Sequence, residues 1–262
     1  MSTVMLNSPV GVPVRATLRT VLFDLDGTLV DSAPDLAGAT NEMLVARGLP
    51  EVPFERLRPM VGTGARGMMG VAFGVSPMES SFPALRDEFF DRYEQRLLRA
   101  TFPFEGIAAM LQALLDEGLS WGIVTNKSER FALPLTRGLG WETQAAAVVG
   151  GDTTPHSKPH PAPLLEAARR AGVSPHECIY VGDDARDILA GRAAGMPTVA
   201  VRWGYLGDGE PIEALGRRRG GGYALGTGRV AAGVALSAHP HACRTSKAVF
   251  EDSLMNLSRS GS

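Results

Sequence analysis

Residues 21–32 read VLFDLDGTLVDS. The apolar run Val21, Leu22, Phe23 leads straight into two carboxylates, Asp24 and Asp26, then Gly27 and Thr28. Two carboxylates at the end of a buried strand are costly unless a cation or a set of donors neutralises them. Gly27 permits a sharp turn that aims backbone N–H groups at one point. A single Asp before Gly would pass for an Asx turn closing an ordinary strand. Asp-x-Asp-Gly-Thr behind a wholly apolar strand points instead to a charged site.

Outward from this segment, short apolar runs alternate with amphipathic stretches. The runs are 19–24, 120–125, 145–150, 178–183 and 197–202. Each is rich in Val, Ile, Leu or Ala with little alternation, as expected for parallel strands covered on both faces. Helical patterns occupy 104–117, 128–138, 161–171 and 184–194. This rhythm predicts an α/β fold, a Rossmann-like, doubly wound parallel sheet. One gap breaks it. Residues 34–103 show helical patterns and no strand, a length far beyond the dozen or so residues of a crossover helix. They are read as an inserted helical cap domain above the carboxyl ends of the strands, where open α/β sheets bind ligands. The catalytic core is assigned to 18–33 and 104–213.

Three more strand ends carry polar groups. Thr125 and Asn126 follow the second run, Lys158 lies in the loop after the third, and Asp183, Asp184 and Asp187 follow the fourth. Each has an ordinary reading. Thr125 and Asn126 could cap the next helix, Lys158 could be a solvated loop lysine, and the acids could favour a helix N-terminus. In a parallel sheet, however, all these ends share one edge with Asp24 and Asp26. Hydroxyl, amide, ammonium and carboxylates then supply both phosphate ligands and a hard-cation site.

Composition narrows the classes. The chain has 262 residues, 44% hydrophobic and 21% charged, with a formal net charge of -2. That balance gives no electrostatic case for nucleic acid or an anionic membrane. No apolar run approaches the roughly 20 residues of a membrane helix. Residues 1–17, broken by Pro9, Gly11 and Pro13, are read as a disordered extension. Two cysteines, Cys178 and Cys243, make no disulfide framework, and a reducing cytoplasm fits. The sequence GTGARG at 62–67 follows a helical pattern and not a strand, so it is no dinucleotide fingerprint. His156 and His160 lack partners at metal-ligand spacing. Met68, Met69, Phe73, Phe89, Phe90 and Tyr93 recur near helical spacing and read as cap core.

The four strand-end segments resemble, in order and spacing, the four motifs of the haloacid dehalogenase superfamily. The similarity covers roughly residues 18–212. GLP, FEG, VTNK, SKPHPAPLL and VGDDARDILAG resemble its phosphoglycolate phosphatase branch, and equally the N-acetylmuramic acid 6-phosphate phosphatases. The resemblance implies an aspartyl-phosphate mechanism on a small phosphate ester. Asp24 would be the nucleophile and Asp26 the general acid and base. Mg²⁺ would bridge Asp24, the Asp26 backbone carbonyl and Asp183. Thr125, Asn126 and Lys158 would hold the phosphoryl oxygens. Asp187 or Asp184 would orient metal-bound water, and Arg66 of the cap could pair with a substrate carboxylate. Dehalogenation is disfavoured because it needs no acid at Asp26. A sugar phosphomutase and an inactive phosphate-binding module are the remaining alternatives. The protein is expected to act as a monomer or homodimer.

Beyond about residue 214 the composition turns abruptly to Gly and Arg, as in LGRRRGGGYALG. Read one nucleotide later, a synonymous spelling of that segment yields W-G-A-D-A-V-A-D-T-P-W, a plausible strand and turn. Residues 214–262 are therefore read as an irregular tail in a shifted reading frame.

Overall fold

Asp24 sits at the tip of the central strand of a parallel sheet, and that placement follows from the apolar residues before it. A computed structural model describes residues 18–205. The readings of an N-terminal extension and of a frame-shifted tail, and Cys243, lie outside the described residues.

Strand β1 (Thr20–Phe23) is followed by the two-residue β2 (Val30–Asp31). Helices α1 (Ala33–Val45) and α2 (Phe54–Leu57) come next, then a 3-10 turn over Arg58–Thr63. Helices α3 (Ala65–Phe73) and α4 (Phe82–Arg96) complete the insert, and β3 (Phe102–Pro103) returns the chain to the core. The core continues with α5 (Ile107–Asp116), β4 (Ser120–Val124), α6 (Glu129–Gly138) and β5 (Val148–Val149). It ends with α7 (Ala162–Arg170), β6 (Cys178–Gly182), α8 (Ala185–Ala193) and β7 (Thr198–Ala200).

The five main strands are parallel, in the order β5-β4-β1-β6-β7. Side-chain alternation divides β1 between two layers. Val21 and Phe23 pack with Trp121, Ile123, Leu111 and Leu135 on one face. Leu22 packs with Val124, Tyr180, Leu164 and Ala167 on the other. Burial of each such large side chain contributes about 1.5–3 kcal/mol. The apolar, non-alternating runs thus mark a sheet covered on both faces, as the sequence predicts.

The insert has its own core of Leu36, Met43, Leu57, Met68, Met69 and Phe89, which Tyr93 completes. Phe131 of α6 and Tyr205 enter this cluster from the core side. The predicted absence of strand across 34–103 needs one correction. Phe102 and Pro103 pair antiparallel with Asp31 and Val30, so the two connections to the insert are tied together. Two residues are too short to show a period, and proline is tolerated at such an edge position. Among the described residues no helix is long and apolar enough to cross a membrane.

Candidate active site

The ends of β1, β4 and β6 lie side by side. The Asp24 N–H donates to the Val181 carbonyl at 2.8 Å, and the Thr125 N–H donates to Val149 at 2.9 Å. Asp24 and Asp183 therefore leave adjacent strands at the same level, 159 positions apart in sequence. Gly27 makes their approach possible. Its φ is +86°, and a Cβ there would collide with Asp183 Oδ2. Any larger residue would meet both the left-handed backbone and that carboxylate.

Asp183 is held by both oxygens. Oδ1 accepts from the Thr28 hydroxyl at 2.9 Å, and Oδ2 accepts from the Tyr205 N–H at 2.8 Å. Lys158 reaches into the cluster with its side chain only 2% exposed. Its ammonium lies 2.8 Å from Asp24 Oδ1 and 2.7 Å from Asp187 Oδ1. The Val124 carbonyl at 3.0 Å and the Tyr180 hydroxyl at 2.8 Å complete its shell.

Asp24, Asp183 and Asp187 offer oxygens that all lie within 4.8 Å of one another. Burial and the neighbouring acids show in the protonation of Asp24 and Asp183. Burial pushes Asp24 up to about 7, with the Asp187 and Asp26 charges adding to it and Lys158 opposing. Burial, then the charges of Asp24 and Asp187, pushes Asp183 up to about 8. Burial alone would lower the Lys158 pKa, but Asp187 and Asp24 outweigh it and hold the ammonium charged. An all-oxygen donor set under such repulsion fits one hard divalent cation, which would relieve it.

The remaining expected residues are placed as follows. Asp184 turns away from the cluster. It caps α8 through the Arg186 N–H at 2.8 Å and pairs with the Arg186 guanidinium at 2.8 Å. Asp187 both joins the acid cluster and closes a capping box, its Oδ2 accepting from the Asp184 N–H at 3.0 Å. Thr125 Oγ1 accepts from the Lys127 N–H at 3.1 Å. The Asn126 side chain makes two 2.9 Å hydrogen bonds to the Lys158 backbone, one through its amide and one through its carbonyl. It thus fastens the loop that delivers Lys158. Arg66 lies exposed in the first turn of α3, with no ion pair among the described residues. His160 Nδ1 accepts from the Ala162 N–H at 3.1 Å, a local turn contact. Cys178 is a free, buried thiol, raised to about 11 by burial.

Three residues at this edge were not singled out from the sequence. Lys127, 8% exposed, pairs with Asp26 Oδ1 at 2.8 Å. Arg186 donates to the Gly62 carbonyl of the insert at 2.6 Å. Tyr205 links three parts of the site. Its hydroxyl accepts from the Ser32 and Ala33 N–H groups at 2.8 and 3.1 Å, where α1 begins. It also donates to Asp31 Oδ1 at 2.7 Å. Arg58 stacks over its ring at 5.0 Å and pairs with Asp31 at 2.6 Å.

With this geometry in place, the chain can be set beside known proteins. The family model described as haloacid dehalogenase-like hydrolase matches residues 21–201. A phosphoglycolate phosphatase of Xanthomonas campestris pv. campestris is 52% identical over 195 residues, 74% of this chain and 88% of that one. An N-acetylmuramic acid 6-phosphate phosphatase of Pseudomonas aeruginosa is 45% identical, over 73% of this chain and 85% of that one. The crystal structure of a predicted phosphoglycolate phosphatase from Haemophilus somnus superposes with a TM-score of 0.64 at 29% identity. It covers 72% of this chain and 87% of that one. The chain belongs to the haloacid dehalogenase-like hydrolases.

Proposed function

We propose that the protein is a Mg²⁺-dependent phosphatase for a small carboxylated phosphomonoester, acting through an aspartyl-phosphate on Asp24. The observation that carries this reading is the buried cluster of Asp24, Asp183 and Asp187 around Lys158 at the strand ends. Substrate preference is taken from the relatives. 2-Phosphoglycolate ranks first on the 52% identity to a phosphoglycolate phosphatase, and N-acetylmuramic acid 6-phosphate second on the 45% relative. Both compounds carry a carboxylate as well as the phosphoryl group.

A magnesium ion held by Asp24, Asp183 and Asp187, with the Asp26 carbonyl, would offset the phosphoryl charge. The chain's own residues do the rest. An Asp24 carboxylate oxygen bonds to phosphorus while the ester P–O bond breaks, its electron pair passing to the leaving oxygen. Asp26 gives that oxygen a proton, then accepts one from the water that hydrolyses the aspartyl-phosphate. In this reading Thr125 and Lys158 hold the phosphoryl oxygens, and Asn126, bonded to the Lys158 backbone at two points, fastens the loop that carries Lys158. Closure of the insert would exclude water and test the leaving group.

The test is a panel of phosphate esters offered to the purified full chain, with Mg²⁺ and with excess EDTA. Turnover of 2-phosphoglycolate in Mg²⁺, lost in EDTA, is expected. Higher kcat/KM on N-acetylmuramic acid 6-phosphate would move the second substrate to first place. Full activity in EDTA would overturn the mechanism.

A further inference from the structure

Asp26 is gripped by one of its two oxygens. Oδ1 accepts from Lys127 Nζ at 2.8 Å and from the Ser32 hydroxyl at 2.5 Å. Oδ2 makes no hydrogen bond among the described residues, and the side chain keeps 16% of its exposure. The Lys127 side chain is almost wholly buried, at 8% exposure. A buried ammonium is costly unless something uses its charge. Its position is set from both sides. The Gly151 N–H donates to the Lys127 carbonyl at 2.8 Å, and the Tyr93 ring of α4 lies 4.8 Å from Nζ. Tyr93 is buried, and its hydroxyl lies near Lys127 without a hydrogen bond of good geometry.

We propose that Lys127 is a positioning residue that, together with Ser32, fixes Asp26 by Oδ1 so that Oδ2 faces the leaving oxygen of the ester. The proposal rests on the phosphatase reading above. When the ester P–O bond breaks, its electron pair goes to the leaving oxygen, and the proton on Asp26 Oδ2 follows it. The Asp26 carboxylate left behind meets the Lys127 charge already in place, without reorganisation. This help matters most when the leaving alkoxide is strongly basic and least when it is a stable phenolate. Tyr93 places the insert against the same ammonium, so cap and core together set its position.

The experiment compares Lys127→Met, Lys127→Arg and Ser32→Ala with the unmodified chain in saturating Mg²⁺. Substrates are 2-phosphoglycolate and ethyl phosphate, which leave as alkoxides, and p-nitrophenyl phosphate, which does not need an acid. For Lys127→Met, kcat on both alkyl esters should fall about 100-fold, the span typical of one acid–base group. That loss should exceed the loss on p-nitrophenyl phosphate by about tenfold or more, with KM little altered. Lys127→Arg should recover part of the loss, and Ser32→Ala should show the same pattern more weakly. Equal loss on alkyl and aryl esters would overturn the proposal. A rise in KM confined to 2-phosphoglycolate would also overturn it and make Lys127 a reader of the substrate carboxylate. If thermal melting shows that Lys127→Met does not fold, Ser32→Ala and Lys127→Arg carry the same comparison. An unmodified chain that hydrolyses none of the three esters removes the phosphatase reading, and this proposal with it. That outcome is distinct from a flat dependence on leaving group.

Discussion

Lys158 Nζ lies 2.7 Å from Asp187 Oδ1, with both side chains almost completely buried, at 2% and 1% exposure. A pair this deep is stabilising only while both partners remain, since removing one strands the other charge out of water. Lys158→Met should therefore lose activity and also about 3–5 kcal/mol of stability. Chemical denaturation checks this, and the double variant Lys158→Met with Asp187→Asn should recover part of the lost stability. A double variant no more stable than the single would mean that the pair is not the source of the loss.

Asp24→Asn should abolish turnover while the fold persists. The amide cannot act as an anionic nucleophile, and the loss should reach many orders of magnitude. The same change removes a carboxyl whose pKa is raised by burial and by its acidic neighbours, so the metal-free melting temperature should stay level or rise. Circular dichroism with a single-turnover assay measures both. A folded variant with a tenth of the normal rate would refute nucleophilic attack by Asp24.

Stability of the metal-free protein should fall as pH rises. Burial, with the neighbouring acids, pushes Asp24 up to about 7 and Asp183 up to about 8 in the folded chain, against a usual value of 3.8. At intermediate pH the folded state holds protons that the unfolded state has lost, so raising pH favours unfolding. The penalty begins near pH 4 and is complete above about 8. Mg²⁺ should remove most of this slope and raise Tm at pH 8 by several degrees. Melting curves at about four pH values, with EDTA and with Mg²⁺, test it. A flat metal-free profile would mean that the carboxylates are not crowded as described.

Arg66 has no ion pair among the described residues and lies in the first turn of α3, whose approach segment meets Arg186 at Gly62. Arg66→Ala should raise KM for 2-phosphoglycolate about tenfold or more and leave p-nitrophenyl phosphate little changed. Steady-state kinetics on the two esters decide it, and equal effects on both would take Arg66 out of carboxylate recognition.

Much of this architecture is legible in the sequence because buried parallel strands are continuous apolar runs. Val21 to Phe23 and Cys178 to Gly182 announce themselves, and so does the acid that ends each one. The insert is legible by contrast, as 70 residues of helical pattern in a place where a crossover should stand. What stays hidden is pairing across long separations by residues with ordinary local roles. Lys127 and Asp26 are 101 positions apart, and Arg186 and Gly62 are 124 apart. Nothing near Lys127 distinguishes a buried ammonium from a solvated one. Asn126 was legible as a polar residue at a strand end, but its amide is committed to the Lys158 backbone, a contact that only the folded loop supplies. The β2–β3 pair is too short for any period to reveal.

Tyr205 has its backbone on Asp183 and its hydroxyl on the first residues of α1. One residue therefore touches both a carboxylate of the cation cluster and the helix that leads into the insert. A cation that shifted Asp183 would therefore pull on the same residue that anchors the start of α1. Linkage requires the reverse with equal strength. If such a cation favours closure of the insert, a substrate that draws the insert shut would tighten the hold on that cation by the same factor.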